Sequence, residues 1–572
     1  MKHLQFPSSA RLLSTAQPWL MTLLAAASCG WAYAQTTPGQ LLQDIRSLQP
    51  QMQALPVPSP APERALTPDE APAAGQLQFV VKKFILVGNE RVSGQDLQPL
   101  LSSLLGQPIT YDDLKQATYA IAAHYRDQGL LARAVLPQQD ITDGQVTIRI
   151  IESRLGGLAI DNRSERISNA QIQAWFDQQT PVGQVIELKT LDHALLTLGD
   201  LPTLTVDGFL QEGEQPGQTT LAMTVLDKPF YNGQVLFDNF GDKNTGTHRS
   251  SAQLNLNGLL NEGDQLNLYG LHTQGSDYLR AGWTTTAPNA SRGQRIGLYA
   301  SRMDYSIKSS AFQAARITGA AEVLGVEATD PLIRSRTANA MLSFNLARSH
   351  FKTWSDGVLS TDRVYSSDVA QLGVSGNQLD SWQGGGISVA SLMLSLGHID
   401  RVQSSDTNQV GGMFSKLRYG LSRTQNLQPD LSLFVSLTGQ LAAHNMDSSE
   451  QLYLGGSMNV RAHASGQGAA SQGQLYTVEL RQQLPEQLQL AVFYDEGHAQ
   501  TWKFNPSSNN VDNQYTLRGV GASLSWAGPQ GVNAKAVWAQ RVGQLSTSVS
   551  NAFAQSGGLD RHRLWLSASV SF

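Results

Sequence analysis

A single cysteine, Cys29, stands among 572 residues. It falls in an N-terminal stretch of leader character, so the rest of the chain has no disulfide, thiol nucleophile or thiolate metal site. A chain without cysteine also cannot be trapped by oxidation while crossing a periplasm. Charge is sparse: Asp, Glu, Lys and Arg are 15% of the residues, and 41 basic against 46 acidic side chains give a net −5. That leaves no basic footprint for nucleic acid. Long apolar runs are missing as well. Beyond "WLMTLLAAAS" at 19–28, nothing approaches the ~18 residues of a membrane helix. Mean hydropathy is −0.23, too polar for a bundle of such helices. Catalytic motifs are absent too: no GxSxG, no HExxH and no phosphate loop. The eleven histidines are scattered without ligand spacing, and "RHR" at 561–563 reads as a solvated strand end. No nucleophile–base pair for a barrel protease or lipase is visible. The expectation is therefore a protein that is not an enzyme and holds no cofactor or metal.

The N-terminus reads as an export signal. Lys2 and Arg11 precede the apolar core, and "AYA" at 32–34 is a small-x-small site, so cleavage is expected before Gln35. A lipoprotein reading of Cys29 lacks the leucine three residues upstream. An exported chain without a spanning helix is periplasmic, extracellular or an outer-membrane barrel.

Five parts follow the leader (1–34). Residues 35–53 place Leu41, Ile45, Leu48 and Met52 on one stripe of a short helix. Residues 54–77 carry six prolines and read as an extended linker. Residues 78–153 and 154–228 are two α/β modules of the same order: strand, helix, helix, strand, strand. From 229 to 572 two-residue alternation takes over. "LWLSASVSF" sets Leu564, Leu566, Ala568, Val570 and Phe572 on one face and Ser567, Ser569 and Ser571 on the other. Such segments, separated by turns like "NEGD" and "NLQPD", are the signature of a transmembrane β-barrel, with about 16 strands expected from the length. A secreted sandwich or β-helix array is the alternative.

Four stretches carry a resemblance to a known family. "FDNFGDKNTGTHR" (237–249) holds Asp238, Asn239 and Gly241 in a first-strand pattern. "LYLGGSMNVRAH" (452–463) holds Gly455, Gly456, Val460 and Arg461 in the motif of a loop folded back into the barrel. "FYDEG" (493–497) holds Phe493, Asp495 and Gly497 in a strand motif, and Phe572 is a terminal aromatic. In this order the chain resembles the outer-membrane transporters of two-partner secretion, the haemolysin secretion/activation proteins. The likeness spans residues 35–572. It implies two periplasmic POTRA domains, an N-terminal plug helix on its tether, and a barrel in the bacterial outer membrane.

The implied function is a pore that recognises an unfolded, β-helical exoprotein and passes it to the cell surface. Whether the cargo is also activated stays open, as does its class: adhesin, haemolysin, growth-inhibition toxin or haem-binding protein. Outer-membrane lipid and the barrel assembly machinery, which reads Phe572, are the other implied partners. A general insertase of the same superfamily usually carries more POTRA modules, and a passive porin would not need residues 36–228. One departure stands out: Ala462 and His463 replace the glycine and aromatic that usually follow the arginine.

Parity gives a finer expectation. In "EQLQLAVFYDEG", Leu488, Leu490, Val492 and Tyr494 share the lipid face, while Gln489, Ala491, Phe493 and Asp495 share the lumen face. Glu496 has lipid-side parity just beyond Tyr494. If the resemblance holds and the loop lies inside, Arg461 meets Asp495 as an ion pair pinning loop to wall. The alternative is two separate, solvated lumen charges.

Overall fold

The computed structural model describes residues 37–47, Pro56 and 78–572, apart from 142, 288–291, 310–315, 356–357, 360–363, 401–407, 507–508, 510 and 557. The leader, Leu48, Met52 and nearly all of the linker lie outside the described residues.

The first periplasmic module builds a three-stranded sheet from Lys83–Val87, Gln145–Glu152 and Ala132–Val135, with Gln145–Glu152 in the centre. Helix Tyr111–Asp127 starts where Thr110 and Asp113 cap each other reciprocally. It buries Leu114, Ala117, Ile121 and Tyr125 along one face. The opening stretch "QFVVKKFILVGN" is not one strand. Phe79–Val80 pairs with Pro108–Ile109, and only Lys83–Val87 joins the main sheet. The break arises because Lys82 and Lys83 both donate to the Gly144 carbonyl while Val81 accepts from Gly106. The backbone there changes partners.

The second module repeats the plan. Arg154–Asn162 runs parallel to Gln218–Asp227, which pairs with Leu204–Glu212. Helices Asn169–Asp177 and Leu188–Gly199 bury Ile172, Phe176, Leu191 and Leu198 beneath the sheet. The module is bonded to periplasmic turns of the barrel. Arg334 grips Asp200 through two parallel bonds of 2.7 and 2.9 Å, Arg336 meets Asp192, and Arg166 donates to the Asn257 carbonyl.

Sixteen long antiparallel strands, from Tyr231–Asp238 to His562–Ser571, close on themselves. A further two-residue strand, Val358–Leu359, pairs with the end of the seventh. Closure removes the sheet edges that lipid would leave unsatisfied. Alternation follows the sequence: Leu490, Val492 and Tyr494 are 42%, 50% and 37% exposed, whereas Ala491 and Phe493 are buried and Asp495 is 0% exposed. Turn lengths also alternate. Even-numbered strands end in periplasmic turns, such as that between Gln472–Leu484 and Leu488–Gln500. Opposite them lies the long segment 443–471, which folds back inside.

Candidate functional site in the barrel lumen

Two elements fill the lumen. The first is helix Pro38–Ser47. Leu41, Leu42 and Ile45 are buried against Tyr278, Met303, Val323, Phe351 and other inward side chains of the wall. Burying three such side chains stabilises the helix by roughly 9 kcal/mol as an upper figure. Polar contacts flank this face. Gln40 Nε2 donates to Asp242 at 3.2 Å, Gln43 donates to the Ser449 carbonyl, and Arg418 donates to Gln43 Oε1 at 3.1 Å. Farther along, the Pro56 carbonyl accepts from Asn339 and Asn377, each at 3.0 Å.

The second element is the 443–471 segment. Its tip is held by main-chain bonds: Gly455 N donates to the Gln467 carbonyl, Gly456 N to His463, and Val460 N to Leu454. Val460 is fully buried with Leu454, Ala470, Leu475 and Leu517. Gly497 of the wall makes room for this packing, since a Cβ there would stand 2.5 Å from Leu454 Cδ2 and 3.0 Å from Val460 Cγ2.

Arg461 is 6% exposed. Its Nε and Nη2 each reach a different oxygen of Asp495 at 2.8 Å, and its backbone N–H donates to Oδ2 at 3.1 Å. Thr477 Oγ1 donates to Oδ1 at 3.0 Å. The buried carboxylate is therefore fully hydrogen-bonded, which such a charge requires. Two partners were not anticipated from the sequence. Glu479 Oε2 lies 3.4 Å from Arg461 Nη1, and the guanidinium sits 3.3 Å above the Phe493 ring centroid, a cation–π contact. Strand parity was the signal for Glu479. It pairs with Phe493 across the sheet, two residues from Thr477, which pairs with Asp495.

The departure at 462–463 is accommodated. Ala462 is buried against the wall at Gly519, and the His463 ring meets Phe553 edge to face at 6.4 Å. Phe553 belongs to helix Thr547–Ser556, which caps the loop together with Val549. The sequence reading missed this helix. Its i, i+4 apolar pair, Val549 and Phe553, was the available signal.

The first-strand motif lies nearby. Asp238 and Arg249 form a buried pair at 2.7 and 3.1 Å. Asn239 bonds the last strand, and Gly241 N donates to the Thr247 carbonyl. Phe572 projects outward and pairs with Gly233 through two backbone bonds. Arg461, Asp495, Val460, Phe493 and Gly497 thus converge at one place. Asp238 and Asn239 stand at the barrel seam and Phe572 at its periplasmic end.

Comparisons with known proteins agree with this architecture. Residues 79–153 match the POTRA domain of ShlB type, and residues 217–526 match the haemolysin secretion/activation protein ShlB/FhaC/HecB. The heme/hemopexin transporter protein HuxB of Haemophilus influenzae is 25% identical over 560 residues, 95% of this chain and 96% of that protein. The outer membrane transporter CdiB of Dickeya dadantii is 23% identical over 466 residues, 78% of each chain. The structure of CdiB from Escherichia coli superposes with a TM-score of 0.71 at 20% identity, covering 94% of this chain and all of that one.

Proposed function

Because the chain belongs to the haemolysin secretion/activation protein family of ShlB, FhaC and HecB, we propose how its filled lumen serves secretion. The protein is an outer-membrane two-partner secretion transporter, moving a cognate exoprotein from periplasm to cell surface. It is a transporter by family, and we infer that it does its work without catalysis. The periplasmic modules receive the unfolded cargo by adding one of its strands to a sheet edge such as Leu204–Glu212, where main-chain bonds supply affinity. Helix Pro38–Ser47 then leaves the lumen. The Arg461 loop stays clamped to the thirteenth strand by Asp495 and keeps the remaining pore in shape. Cargo folding outside supplies direction, since the periplasm holds no ATP. The likeness to HuxB over 95% of this chain makes a haem-binding protein one candidate cargo.

One observation carries this reading: the helix occupies the lumen through a small apolar face and a few polar contacts, an arrangement suited to reversible departure. Joining Gln43→Cys to Ser449→Cys by a disulfide should stop secretion, and a reductant should restore it. Secretion at the normal rate with the crosslink intact would eliminate a moving plug.

A further inference from the structure

The lumen loop reaches more than the thirteenth strand. Ser465 Oγ donates to the Phe240 carbonyl at 2.6 Å, just past the end of the first strand. Trp565 Nε1, on the last strand, donates to the Arg461 carbonyl at 2.7 Å. The Phe240 and Trp565 rings meet edge to face between these two bonds, their centroids 5.8 Å apart. The loop therefore touches both strands that close the barrel.

That closure is narrow. The first and last strands share five register pairs, from Ser567–Asp238 to Ser571–Gln234. Other contacts between consecutive long strands run from eight pairs to sixteen. Beyond Asp238 the first strand turns inward, and the Asp238 carboxylate accepts from Phe240 N. The Asn239 side chain then continues the ladder. Its Nδ2 donates to the Leu564 carbonyl at 2.9 Å, and its Oδ1 accepts from Leu566 N at 2.8 Å. A primary amide offers the donor and acceptor of a peptide unit, so this side chain extends the seam beyond the Asn239 backbone, whose N–H still donates to the Leu566 carbonyl at 3.2 Å.

We propose that Asn239, Trp565 and Ser465 form a latch through which the clamped Arg461 loop holds the first and last strands together, so that the seated loop keeps the seam closed. The register pairs here are fewer than at the other contacts between described long strands, even with the Phe572–Gly233 and Asn239–Leu566 backbone bonds beyond them, so contacts from inside matter most here. Withdrawal of the loop would leave the Trp565 indole N–H and the Phe240 carbonyl without these partners in a poorly hydrated site, which disfavours the closed form. The plug helix meets the same place. Gln40 bonds Asp242, two residues past Phe240, and packs so closely on Gly466 that a Cβ there would stand 1.9 Å from Gln40 Nε2. Plug, loop and seam thus share one junction. The latch residues act through the seam, as positioning residues.

Amide hydrogen exchange on the full chain in lipid nanodiscs tests the latch. Trp565→Phe keeps a ring and removes the N–H, and Asn239→Ala removes the side-chain ladder. Each should accelerate exchange at 231–239 and 562–571 about tenfold, with the ninth strand, Gly386–Asp400, unchanged as the internal reference. Arg461→Ala, whose lost side chain contacts the thirteenth strand, should also accelerate seam exchange and add nothing to Trp565→Phe. Unchanged seam rates in folded variants would overturn the proposal. So would a uniform rise through the barrel, or independent adding of the Arg461 and Trp565 effects. If Trp565→Phe does not assemble, Ser465→Ala, which alters neither strand, carries the same comparison.

Discussion

Ala462 of the loop rests against Gly519 of the fourteenth strand, where an added Cβ would stand 2.6 Å from the Ala462 methyl. The methyl occupies space that the wall has left empty. Gly519→Ala should push the loop off the wall and cut secretion about tenfold, with barrel levels maintained. Ala462→Gly in that background should restore most of the loss. Surface exoprotein and heat-modifiable gel migration would be measured together, and failure of the second change to rescue the first would show that this contact does not seat the loop.

The Arg461–Asp495 contact should behave as one unit. Removing Arg461 strands the buried Asp495 charge, at about 3–5 kcal/mol of local stability, and removing Asp495 leaves the guanidinium only Glu479 at 3.4 Å. Arg461→Ala and Asp495→Ala should each give a folded barrel with poor secretion, and the double variant should be no worse. Arg461→Lys should recover little, because an ammonium cannot make the paired bonds of a planar guanidinium. Additive losses in the double variant would mean that the two residues act separately.

Phe572 lies on the lipid-facing side, 59% exposed, with its ring over Gly233. Phe572→Ala should lower the amount of assembled barrel several-fold while secretion per assembled barrel stays constant. Quantitative immunoblots of outer membranes, normalised to secreted cargo, separate these two effects. Full barrel levels would remove the ring from the assembly pathway.

Acid should loosen the first periplasmic helix at its start. The Thr110 backbone N–H and hydroxyl both donate to Asp113 Oδ2, at 2.7 and 2.8 Å, and hold this carboxyl below its usual range. A depressed folded-state value means that the stabilisation is present above the unfolded value of about 4 and is lost as pH falls through the folded one. Amide exchange at 111–115, corrected for intrinsic rates, should show Thr110→Ala opening more readily than wild type at pH 6. That difference should shrink below about pH 4. A difference independent of pH would assign the cap to the hydroxyl alone.

The barrel and its facing were legible because lipid imposes a two-residue period that residues such as Leu490, Val492 and Asp495 obey one by one. The inward aim of Asp495 followed from that period. That Arg461 meets it needed the additional likeness of the 452–463 stretch, since parity says nothing about a loop. Glu479 was equally readable from its own strand, where Tyr476, Val478 and Leu480 face lipid. Helix Thr547–Ser556 escaped notice because a ten-residue segment with one apolar pair carries little periodic signal. The Trp565–Arg461 bond joins residues 104 positions apart. It depends on how the barrel curves round to meet its own loop, which no local pattern encodes.

Two asparagine amides, Asn339 and Asn377, hold the Pro56 carbonyl, nine positions beyond the last residue of helix Pro38–Ser47. Nine residues reach at most about 30 Å when fully stretched. While that grip lasts, a helix expelled into the periplasm remains on a short leash at the mouth of its own pore. Its return is then an intramolecular event, with an effective concentration on the order of millimolar. Once the tail of the cargo clears the channel, the stopper is already waiting at the door, and resealing needs no recruitment from solution.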